Sequence, residues 1–197
     1  QLYEMAPARI KAIYRAFANV FPQGNAFAAE DASSDTFLIG TLGPLLLELE
    51  ALERSFANPR VRAELDRADV RSPHDLAAFL LAGPADLAAF TSGVPPNTDD
   101  NLLVELRAPL DLYASKRPSF AADVYAGDWP YGRLEGLRGW DREPGATDRR
   151  AALAESLMRH GKIREARRLL ELAGHGASQR THKLVDLLTM ESYDLPD

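Results

Sequence analysis

The chain opens on apolar residues spaced for one face of a helix. Ile10, Ile13, Tyr14, Phe17, Val20 and Phe21 recur at i, i+3, i+4 and i+7, which predicts an amphipathic helix. Pro7 falls in its first turn, where a missing N–H costs nothing, and Pro22 and Gly24 stop it. Two short strands are expected next, over residues 25–30 and 36–41, with the polar turn 31–35 between them. The second, Thr36-Phe37-Leu38-Ile39-Gly40, has the branched and aromatic content of a buried strand.

From Gly43 the pattern becomes a series of short helices, each announced by proline. Pro44 opens a leucine-rich helix to about Phe56. Asn58-Pro59 opens a second with Val61 and Leu65, and Ser72-Pro73 a third with Leu76, Phe79 and Leu80. Pro84 opens a fourth with Leu87 and Phe90. Asn58 and Ser72 are good N-cap residues, and Asp75 stands where an acid favours the positive helix end. Gly93-Val94-Pro95-Pro96 breaks this run. Residues 101–107, with Leu103 and Val104, then read as a short strand ended by Pro109. Residues 114–146 have the least periodicity and read as an irregular linker ordered by Trp129, Tyr131 and Trp140.

The last third returns to helical spacing. Thr147 is read as the N-cap of a helix carrying Ala151, Leu153, Ala154, Leu157 and Met158. His160-Gly161-Lys162 makes a turn in which Gly161 suits the left-handed position after a helix. A second helix follows over 163–173 and a third over 181–190. The pair over 151–173 has the small-residue and leucine spacing of a tetratricopeptide-type hairpin.

Composition narrows the classes. The 197 residues carry 23 Lys and Arg against 29 Asp and Glu, a net charge of −6, which argues against nonspecific nucleic-acid binding. The absence of cysteine removes a disulfide scaffold, a thiolate metal site and a cysteine nucleophile. The longest leucine run, residues 45–49, is interrupted by Glu48 and falls far short of a bilayer span. With neither a Met start nor a signal-peptide pattern, the opening residues are expected to continue from a longer protein.

Three stretches in order carry a family resemblance. Tyr3-Glu4-Met5 with Pro7, then Phe17-Ala18 with Val20-Phe21-Pro22, then Phe37-Leu38-Ile39-Gly40 resemble the late part of the aminopropyltransferase domain of bacterial spermidine synthase-like proteins, many fused to a transporter-like membrane segment. Asn97-Thr98-Asp99-Asp100-Asn101, with Val104-Glu105-Leu106 and Ala108-Pro109, resembles the closing motif of the same proteins. The similarity covers residues 1–113, and the tail from 147 resembles the tetratricopeptide repeats appended to some members.

The resemblance implies a mainly α chain with a small β component. Residues 1–43 would end a Rossmann-like domain with a helix and an antiparallel hairpin. Residues 44–113 would be a helical extension, 114–146 the linker and 147–197 a tetratricopeptide-like tail. It also implies a parent that transfers an aminopropyl group from decarboxylated S-adenosylmethionine to an amine. The family's glycine-rich loop and catalytic Asp precede the part present here, so no catalytic residue is carried over and this chain alone is expected to be inactive. No G-x-G-x-x-G follows a strand in it. The implied partners are the remainder of the parent domain, a second copy and a protein bound by the tail, with no nucleic acid. The implied location is the cytoplasm or the cytoplasmic side of a membrane-anchored parent.

Asp99 and Asp100 are the candidate substrate-binding residues, because burying a polyamine requires carboxylates to offset its lost hydration. The same segment also reads as a turn and cap, since Asn, Thr and Asp bond their own backbone. Gly40-Thr41-Leu42-Gly43-Pro44 reads as a tight turn, lacking the Lys and Ser/Thr of a phosphate loop. His74, His160, His175 and His182 have no helical partner among themselves, and no metal site is expected; His160 and His175 suit helix ends. Lys162, Arg164, Arg167 and Arg168, interleaved with Glu165 and Glu171, read as a solvated face. The alternative function is a helical scaffold that binds a protein or peptide through its tail. One hairpin cannot bury a continuous core, so that tail must dock on residues 44–113 or on a second copy.

Overall fold

The computed structural model describes residues 5–28, 35–111, 137–142, 144–172 and 183, and the protein is mainly helical with a small antiparallel sheet. Its elements in order are α1 (Pro7–Val20), β1 (Asn25–Phe27), β2 (Phe37–Ile39), β3 (Leu47–Glu48), α2 (Leu49–Phe56), α3 (Pro59–Arg67) and α4 (Pro73–Ala78). They continue as β4 (Leu80–Ala82), α5 (Pro84–Phe90), α6 (Leu103–Asp111), β5 (Leu137–Arg138), α7 (Ala146–Arg159) and α8 (Ile163–Leu172). The chain divides into two compact units. Gln1–Leu45 and Leu80–Pro130 make the first, and Leu46–Phe79 and Tyr131–Asp197 the second.

In the first unit, β1 is the middle strand of a three-stranded sheet ordered β2-β1-β4. Phe27 faces Phe37 across the antiparallel β1–β2 pair, so both residues of the expected hairpin are on strands. The core gathers Ile10 and Tyr14 of α1, Ala26 and Ala28, Leu81 and Ala82, and Leu87 and Phe90 of α5. Tyr14 meets the Phe90 ring edge-on at 5.8 Å, and its hydroxyl bonds Thr36 Oγ1 at 2.5 Å. Burial pushes the Tyr14 hydroxyl up to about 12, against the opposing effect of the Thr36 hydrogen bond. Asp111 closes the unit by accepting the Ala6 backbone N–H at 3.0 Å, with Arg9 at 3.6 Å. Its negative charge thereby sits at the positive end of α1.

In the second unit α2 packs on α3 and α4, α4 packs on α7 of the hairpin α7–α8, and β3 pairs in parallel with β5. Trp140, just beyond β5, is fully buried and meets the His74 ring edge-on at 5.8 Å. The caps expected at Asn58 and Ser72 form. Asn58 Oδ1 accepts the Arg60 N–H at 3.0 Å, and Ser72 with Asp75 makes a capping box. Gly161 takes φ +74°, the left-handed turn expected of it.

Several elements differ from the pattern reading. Residues 103–111 are a helix, with Pro109 inside it rather than ending a strand. Side chains of the preceding turn decide this: Asn97 Oδ1 accepts the Val104 N–H at 2.9 Å and Asn101 Oδ1 the Leu103 N–H at 3.3 Å. Leu80 leaves the third helix for β4, whose three residues are all buried and pair β1, so no alternation marked it as a strand. The leucine-rich helix starts at Leu49 instead of Pro44, because Leu47 and Glu48 pair with Leu137 and Arg138. Strand β2 lies at the sheet edge, where Leu38 alone is packed against the core while Phe37 and Ile39 are 64% and 43% exposed. Val20 also lies outside the core stripe, exposed at the end of α1. Gly145, at φ +98°, caps α7, and Thr147 is inside it. Trp129, Tyr131, His175, His182 and, apart from Lys183, the helix expected over 181–190 lie outside the described residues.

Candidate functional site

Asp99 and Asp100 occupy the exposed turn before α6. The segment is organised by its amides and hydroxyl. The Thr98 N–H donates to Asn101 Oδ1 at 3.0 Å, the Asn101 N–H to Thr98 Oγ1 at 3.3 Å, and Asn101 Nδ2 to the Pro96 carbonyl at 2.8 Å. The Asn97 N–H donates to the Ala12 carbonyl at 3.0 Å, which ties the turn to α1. Leu102 takes φ +45°, an uncommon conformation for a residue with a side chain. Neither Asp99 nor Asp100 accepts a hydrogen bond or ion pair from a described residue, and both carboxylates face water.

A denser ionisable cluster surrounds Asp75 in the second unit. Its carboxylate is fully buried at the first turn of α4. Oδ2 accepts from the backbone N–H of Arg71 and of Ser72, both at 2.8 Å, and from Ser72 Oγ at 3.2 Å. Oδ1 accepts from Arg159 Nη1 at 2.6 Å and lies 3.3 Å from His160 Nε2. Burial by itself raises the Asp75 carboxyl. Hydrogen bonds from Ser156, the Arg71 and Ser72 backbone and the Arg159 charge outweigh it and hold the group below its ordinary value.

The other end of α4 is held by the same hairpin. Lys162, fully buried, donates from Nζ to the Ala78 carbonyl at 2.5 Å. Carbonyls of a last helical turn lack intrahelical donors, so the ammonium supplies one. His160 lies edge-on to Phe79 with ring centroids 4.7 Å apart. The solvated basic face read on the tail therefore does not include Lys162, which is buried, nor Glu165, which is 5% exposed; Arg167 and Arg168 are exposed as expected.

Serine, histidine and aspartate meet here, but not in a nucleophilic arrangement. Ser156 and His160 both address Asp75, whereas an activated serine must bond the histidine. Ser156 is also 1% exposed, which leaves no room for a substrate carbonyl. The cluster fastens α4 to the α7–α8 hairpin. Among the described residues, no group of His, Asp and Glu can hold a metal ion, and no helix is long and apolar enough to cross a membrane.

Pattern reading identified Asp75 as a capping acid, His160 as a helix-end residue and Lys162 as a surface cation. It missed their meeting. Asp75 and Arg159 are 84 positions apart, and no local spacing encodes such a pair. Comparison with known proteins found no matching family model, no matching curated protein and no matching solved structure.

Proposed function

We propose that residues 1–43 are the closing part of a spermidine synthase-like aminopropyltransferase domain and residues 44–113 its helical extension. The observation that carries this reading is the run of an amphipathic helix into an antiparallel strand pair with Phe27 opposite Phe37, in the order the family resemblance requires. The parent would move an aminopropyl group from decarboxylated S-adenosylmethionine to an amine, using catalytic residues outside this chain. Asp99 and Asp100 would contribute negative charge toward the amine. Their exposure and their lack of a described cationic partner are compatible with that role. The parent would work in the cytoplasm or on the cytoplasmic side of a membrane.

Calorimetric titration of a parent protein containing this chain tests the reading. Decarboxylated S-adenosylmethionine and a polyamine should each bind. The double substitution Asp99→Asn, Asp100→Asn should weaken the polyamine about tenfold, a loss of ~1.4 kcal/mol, and leave the nucleoside unaffected. A folded parent that binds neither compound overturns the proposal. An unchanged polyamine affinity removes the two aspartates from it.

A second reading is a helical scaffold for a protein or peptide. The α7–α8 hairpin favours it. Docking of that hairpin on α4 meets the requirement that a single hairpin find a covering surface.

A further inference from the structure

We draw no further inference here: the strongest candidate, the apolar outer surface of edge strand β2 with Phe37, Ile39 and the neighbouring Leu42 exposed, has nothing in the structure to show what covers it.

Discussion

Sealed from water, the Asp75 carboxylate draws its stabilisation from backbone N–H groups, two hydroxyls and the Arg159 guanidinium. Removing one member of a buried pair costs far more than the pair contributes, because the survivors lose their partner while still desolvated. Asp75→Ala should therefore lower unfolding free energy by ~3 kcal/mol, read from urea midpoints. Ser72→Ala removes the cap and one hydroxyl from Asp75 but leaves the carboxylate its backbone and Arg159 partners, and should cost about 1 kcal/mol. Equal effects would mean that Asp75 acts as a cap alone. Tyr14 gives a second residue-scale expectation. With its folded value at about 12, its contribution to stability is complete below the unfolded value near 10 and is lost as pH rises through the folded one. Ultraviolet titration should show a late-ionising tyrosine component that Tyr14→Phe diminishes.

Helix starts were legible where proline directly follows a capping side chain, because the two act within one turn. Pro59 after Asn58 and Pro73 after Ser72 show this. What the sequence concealed were choices made by distant partners. Leu80–Ala82 is a strand because β1 lies beside it, and Leu47–Glu48 is extended because Leu137–Arg138 pairs it. The turn before α6 carried a local signal in Asn97 and Asn101, but Leu103 and Val104 suggested a strand more strongly. For the candidate site, the residue types at 97–101 were readable, while the Asp75 cluster depended on long-range packing.

Two element-scale expectations follow from backbone and burial. Gly161→Ala should cost about 1–2 kcal/mol, since a Cβ there meets no atom within 4 Å and only the left-handed backbone penalises it. On β2, Leu38→Ala should cost about 2 kcal/mol, whereas Phe37→Ser should stay within about 0.5 kcal/mol. Thermal or chemical denaturation of this chain checks both. A large cost for Phe37→Ser would contradict its exposure on the strand.

At the scale of the whole molecule, acid sensitivity should trace to the second unit. Because the folded Asp75 carboxyl lies below the unfolded value of 3.8, the unfolded chain takes up that proton first as pH falls. The stabilisation is present above about pH 4 and disappears as pH drops through the folded value. The urea midpoint should fall more between pH 7 and pH 3 for the natural chain than for Asp75→Asn, and equal falls would exclude Asp75 as the source.

Synthesis order adds a constraint. Asp75 leaves the ribosome well before Arg159 and Lys162, so α4 emerges with its acid and its last carbonyl still hydrated. The second unit can acquire this fastening only after translation has passed Lys162, and closure across so long a separation favours slow assembly. Nascent chains stalled before residue 159 should accordingly leave the neighbourhood of Asp75 open to proteases, and release of the finished polypeptide should protect it.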